Sequence, residues 1–198
     1  NGADNAYIGT NFNNTTGANT ISNWLITPNR TIKNGDVISF YTRTTLDNMY
    51  ADNLQLRMSL NGASTNVGTG SAAVGDFTVL LLEVNPSLAL SVYPFTAWTQ
   101  YTVTVSGLSA PTSGRFALRY YVPNGGPAGA NSDYIGIDNF IYTPYVCPTL
   151  TMTSAGALIG GTAGSAYSTI LTQTGALGTP TFAVTSGALP SGLSLSAA

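Results

Sequence analysis

Few residue types in this chain could do chemistry. It carries eight carboxylates, six lysines and arginines and no histidine. That removes Ser-His-Asp and Cys-His nucleophilic arrangements and every histidine-based metal site. Hard oxygen donors are the best-supplied chemistry. Asn131-Ser132-Asp133 and Asp138-Asn139 bring carboxylate and amide oxygens into one short stretch, and Ca2+ takes such ligands from loops. The same residues serve turns and solvent in an Asn-rich chain, so spacing alone leaves both readings open. No EF-hand loop or glycine-rich calcium repeat accompanies them.

Two carboxylates suffice to hydrolyse a glycoside, but none of the acids stands in a distinctive position. Asp36 sits in a turn, Asp47 and Asp52 flank a loop, and Asp76 precedes a strand. Phosphate-cradling and dinucleotide-binding glycine motifs are absent from the sequence. The expectation is a protein that binds or assembles, not an enzyme. Cys147 is the one cysteine, so an internal disulfide and a cysteine zinc site are excluded. It reads as a buried or hinge thiol, with pairing to a cysteine outside the chain as the alternative. The aromatics, among them Tyr41, Tyr93, Trp98, Tyr101, Tyr121 and Tyr134, could build a sugar-stacking platform. They equally suit a core and sheet faces.

Composition narrows the partners. Charged residues make up 7% of the chain and the net charge is −2, which gives no basic footprint for nucleic acid. No apolar run reaches the roughly 18 residues of a membrane span. The chain begins Asn1-Gly2-Ala3-Asp4 and reads as a processed piece of something longer.

The elements that must position these residues are strands. Val37–Thr42, Leu54–Leu60, Phe77–Val84, Tyr101–Val105, Arg115–Val122 and Tyr134–Tyr142 are short apolar or β-branched runs. In Leu54–Leu60 the leucines and Met58 alternate with Gln55, Arg57 and Ser59, which predicts one buried and one wet face. Asn34-Gly35-Asp36 and Asn61-Gly62 are turn or hairpin signals. Charge divides the chain: all fourteen charged residues lie between Asp4 and Asp138. A boundary near Thr143–Pro148 predicts a domain over 1–145 and a second over 146–198. In the second, Leu150–Thr153, Tyr167–Thr172 and Thr181–Thr185 read as strands. The fold class expected is all-β, a jelly-roll-like two-sheet sandwich followed by an incomplete Ig-like β-sandwich module.

Seven strings in order sharpen this reading. They are 6–13 (AYIGTNFN), 21–28 (ISNWLITP), 35–43 (GDVISFYTR), 51–57 (ADNLQLR), 98–103 (WTQYTV), 114–120 (GRFALRY) and 134–139 (YIGIDN). Together, residues 1–143 resemble the bacterial choice-of-anchor J domain, a relative of the cleaved adhesin domains. The string 185–195 (TSGALPSGLSL) resembles a bacterial Ig-like surface repeat. The resemblance implies a secreted or cell-surface location and a first core strand upstream of Asn1. It also implies a structural cation, Ca2+, held in part by Asp138 with Asn139 beside it. The function it implies is a structural or adhesive module, a subunit of an extracellular fibre or matrix, with a carbohydrate-binding module as the alternative. Expected partners are other copies of the chain, surface polymers or glycans, with strand exchange between neighbouring chains.

Overall fold

The computed structural model describes residues 6–47, 49–154, 156–176 and 179–196. They divide into two compact units, Asn1–Tyr145 and Val146–Ala198. The first unit is all antiparallel β. One sheet contains β1 (Ile8–Asn11), β9 (Tyr134–Thr143), β4 (Val37–Thr44) and β7 (Thr99–Thr104), in that spatial order. The other contains β2 (Asn19–Ile26), β8 (Thr112–Gly125), β5 (Leu54–Ser59) and β6 (Val79–Val84), with β3 (Arg30–Ile32) also on β8. A 3-10 turn at Phe12–Asn14 is the one helical element among the described residues.

Alternation builds the core. Ile38 and Phe40 of β4 with Ile135 and Ile137 of β9 face Leu54, Leu56, Met58, Phe116, Leu118, Tyr120 and Val122 of the other sheet, and all are buried. Each large apolar side chain so removed from water contributes about 1.5–3 kcal/mol. Asn34-Gly35-Asp36 forms the turn into β4, with Gly35 at φ 89°. A Cβ there would also strike the Tyr145 ring, so glycine is required twice over. Asn61-Gly62 makes a turn but not a tight hairpin: residues 60–78 separate β5 from β6.

That long loop corrects the expectation of a wet face on β5. Gln55 and Ser59 are buried. The Arg57 guanidinium donates to the Phe77 carbonyl at 3.2 Å, and Arg119 donates to the Ser71 carbonyl at 2.5 Å. Phe77 is fully buried and its ring lies 5.4 Å from that of Trp24. The loop thus covers the second face of its sheet, a tertiary contact that period-two patterning cannot announce.

In the second unit, β10 (Thr151–Met152) pairs with β11 (Gln173–Thr174). Tyr167–Thr172 and Thr181–Thr185 form no strand, and no described residue of this unit is buried. Without buried apolar surface, short ladders have little to offset their ordering entropy. Cys147 is exposed, which corrects the expectation of a buried thiol. No helix among the described residues is long and apolar enough to cross a membrane.

Candidate functional site

Asp138 and Asn139 lie together on β9, at a change of register against β4. Tyr41 pairs with Asp138 and Ser39 with Ile141, so β9 has one extra residue. This is a β-bulge, and Asn139 holds the left-handed position at φ 48°, which Asn tolerates better than most residues. The Asn139 N–H donates to the Asp138 carboxylate at 2.7 Å. The bulge reverses which face each residue occupies. Before it, Ile135 and Ile137 point into the core; after it, Phe140 and Tyr142 do.

The two candidate oxygen clusters do not share a site. Asp133 and Asp138 are five residues apart along nearly extended chain, which puts roughly 16 Å between them. Asp133 instead accepts the Thr45 hydroxyl at 2.7 Å, Asn131 donates to the Pro123 carbonyl at 3.0 Å, and the Ser132 hydroxyl accepts the Gly126 N–H at 2.9 Å. No group of three or more His, Cys, Asp or Glu side chains suited to a metal occurs among the described residues. Ca2+ requires six to eight oxygens, and the Asp138–Asn139 pair alone does not fit that demand.

The most elaborate carboxylate is one that sequence placed only beside a loop. Asp52 is fully buried between the sheets. It accepts from the Tyr120 hydroxyl at 2.6 Å, the Thr44 hydroxyl at 2.7 Å and the Asp133 N–H at 3.0 Å. Burial pushes its pKa up; the three hydrogen bonds offset part of that, and the Asp133 charge adds to it. Asp36 is also buried but moves the other way. Burial alone would raise it, yet donors from Tyr142, Tyr145 and Lys33, with the Lys33 charge, hold it below the ordinary carboxylate value. Asp36 ties the end of β9 and Tyr145 to the turn before β4. Both carboxylates are locked into the framework by donors on several strands, an arrangement that suits a fixed structural role.

The surface feature that calls for an explanation is an open side of the sandwich. Ile8 pairs in register with Ile137, and Leu25 with Leu118. Directly paired residues share a face, so both Ile8 and Leu25 face inward. Yet they are 52% and 38% exposed, because β1 and β2 are the edge strands of their sheets on this side. Asn23 of β2 donates to Thr10 of β1 at 3.1 Å and bridges the sheets at one end. Beyond that bridge no described strand closes the mouth. A groove of about 320 Å3 continues along it, lined by Thr27, Pro28, Arg30, Phe116, Phe140 and Tyr142. β1 pairs only with Tyr134–Ile137. Among the described residues, no strand covers Asp138–Thr143 on that edge.

A second groove lies on the outer face of the β1 sheet, bordered by Tyr7, Trp98, Tyr134, Gly136 and Arg43. Its rings meet at 64° and 84°, so they form a walled trough and not a flat stacking platform.

No family model matches the chain, and no curated protein matches it. Solved structures to which it is similar include three cleaved adhesin domains of Lys-gingipain. The K1 domain from Porphyromonas gingivalis W83 is 20% identical with a TM-score of 0.45, covering 71% of this chain and 75% of that one. The K3 domain from the same organism is 19% identical with a TM-score of 0.44, covering 70% and 74%. The K2 domain is 23% identical with a TM-score of 0.42, covering 69% and 71%. At these scores the likeness assigns no function.

Proposed function

We infer that this chain is a non-enzymatic structural or adhesive module of a secreted or cell-surface protein, one that joins other chains or surface polymers. The observation that carries this reading is the open side of the first unit, where Ile8 and Leu25 face the core and yet meet solvent. Unpaired strand edges and apolar clefts are surfaces for association. The buried carboxylates support the same reading, because each is satisfied by framework donors on several strands. The test is retention of the full chain on protein- and polysaccharide-coated surfaces, together with its sedimentation across a concentration series. Retention or concentration-dependent association is expected. A chain that stays monomeric throughout and is retained nowhere overturns the reading.

The second reading is a carbohydrate-binding module, and the outer trough favours it. Tyr7, Trp98 and Tyr134 offer aromatic walls and Arg43 a cation. Ring faces stack on the apolar faces of sugars, and guanidinium pairs with carboxylates. Affinity electrophoresis against neutral and uronic-acid polysaccharides tests it. Unchanged mobility in all of them removes it.

A further inference from the structure

We propose that β7 is a homodimer interface: its free edge pairs antiparallel with the β7 edge of a second copy of this chain, with Thr102 opposite Thr102 of that copy. This rests on the joining role inferred above and names a partner and a register for it.

The backbone decides which groups are free. The Val105 N–H donates to the Asp36 carbonyl at 2.8 Å, and the Val105 carbonyl accepts from Gly35 at 2.9 Å. Val105 thus turns both its groups toward the β4 side. In an antiparallel ladder this direction alternates residue by residue. Thr99, Tyr101 and Val103 therefore bond to β4, while Gln100, Thr102 and Thr104 turn N–H and C=O outward. No other described backbone group bonds to these three residues on that edge.

Edge strands are commonly kept from pairing by shortness, bulges, proline or charge. β1 has only four residues. β2 changes register between Asn19 and Ile21. β6 carries Glu83 and has an extra residue, Leu81, against Leu56 and Arg57. β7, at the opposite end of its sheet from β1, has none of these devices. Its sequence TQYTVT holds no charge and no proline. It matches β4 one for one over six residues without a shift. Gln100, Thr102 and Thr104 are exposed.

This edge is complementary to itself. Centring the pairing on Thr102 sets Gln100 opposite Thr104 of the second copy, and Thr104 opposite its Gln100. Every outward N–H and C=O of the three residues then finds a partner. On the outer face, threonine meets threonine and glutamine meets threonine, with no like charges opposed. On the inner face, Tyr101 falls beside Val103 of the second copy, an aromatic against a β-branched residue. Both pack on the core yet are only partly buried in one chain, so pairing covers apolar surface that a single chain leaves wet. A foreign strand would satisfy the same hydrogen bonds, but the two-fold match of side chains selects a second copy. One patch serves both partners, so the contact is isologous and closes at the dimer.

Charge exchange at Thr102 tests this on the full chain. Wild type is expected to show a monomer–dimer equilibrium by sedimentation velocity. Thr102→Lys and Thr102→Glu each set like charges opposite one another, and each alone should weaken the dimer about fivefold or more. An equimolar mixture of the two should restore it, because opposite charges then face each other. Leu90→Lys, at an exposed leucine between β6 and β7, should dimerise like wild type. Residue-resolved amide exchange should slow at Gln100, Thr102 and Thr104 in the dimer, while Tyr101 and Val103 are protected in monomer and dimer alike. A dimer that both charged variants form as readily as wild type overturns the proposal. So does a mixture that associates no better than either variant alone, or an open-ended series of oligomers. A wild type that stays monomeric but is retained on coated surfaces rejects this interface and leaves the joining role standing.

Discussion

Tyr7 and Tyr134 each lie across the other strand's glycine. The tripeptide Tyr-Ile-Gly occurs at 7–9 and again at 134–136, and antiparallel pairing sets Gly9 opposite Gly136. A Cβ on Gly9 would run into the Tyr134 ring, and one on Gly136 would meet Tyr7 and Trp98. The two tyrosines fill the space that the missing side chains leave, and this arrangement builds the floor of the outer trough. Burial and the hydrogen bond with Tyr7 push the Tyr134 hydroxyl up to about 12.

The glycine pair gives the first prediction. Gly136→Ala should displace Trp98 and cost about 1–3 kcal/mol, the usual range for overpacking. Gly9→Ala should disturb Tyr134 to a similar degree. Urea unfolding and the near-ultraviolet circular dichroism of the aromatics check both. If the two variants match wild type in stability and spectrum, the rings do not depend on the bare backbone.

Asp52 and Asp36 should make stability respond to pH in opposite senses. The Asp52 pKa is raised by folding. Its contribution is therefore fully present below the ordinary carboxylate value and is lost as pH climbs through the raised one. The Asp36 pKa is lowered, so its contribution is present above the ordinary value and is lost as pH falls through the lowered one. In urea titrations from about pH 3 to 7, Asp52→Asn should lose most relative to wild type at the acid end. Asp36→Asn should lose most near neutrality. Parallel pH profiles for the two variants would refute the assignment.

Arg119 is a buried cation whose hydrogen bonds go to neutral acceptors: the Ser22 hydroxyl at 3.0 Å, the Gln55 amide oxygen at 3.4 Å and the Ser71 carbonyl. Its guanidinium lies 4.0 Å from the Tyr121 ring centroid and 4.9 Å from that of Trp24. Lysine cannot stack as a plane or fork to these partners. Arg119→Lys should cost about 2–4 kcal/mol and free the 60–78 loop it fastens. Limited proteolysis should then cut within that loop first. Wild-type resistance there would show that the loop is held without Arg119.

How much of this was legible beforehand follows the range of each interaction. The strands of the first unit were readable because Val37–Thr42, Leu54–Leu60 and Tyr134–Tyr142 combine β-branched or apolar residues with turn residues on either side. The covered face of β5 was not, because Arg119 reaches Ser71 across 48 residues. Asp52 was read as a loop neighbour because its donors lie at Thr44, Tyr120 and Asp133, and no local pattern brings those together. The bulge is intermediate. Asp138-Asn139 was visible as a pair of oxygen donors, but its meaning depends on the register against Tyr41 and Ser39.

That pair supplies the last prediction. As a bulge, Asn139 is needed for its left-handed backbone and Asp138 for the acceptor it offers the next N–H. Asn139→Gly should then be nearly neutral, since glycine adopts this conformation freely. Asn139→Val should cost about 2 kcal/mol or more, because a β-branched residue resists positive φ. Asp138→Asn keeps an acceptor and should cost little, while Asp138→Ala should cost about 1 kcal/mol. Failure of the bulge would also turn Phe140 and Tyr142 outward, so Asn139→Val should weaken the core contacts of both. A bound structural ion makes a different forecast. It would raise Tm with free Ca2+ through binding to the folded state, and Asp138→Asn would abolish that rise. With too few oxygens around Asp138 among the described residues, equal Tm in excess Ca2+ and in chelator is expected. A calcium-dependent rise that Asp138→Asn removes would assign the residue to a metal and not to the bulge.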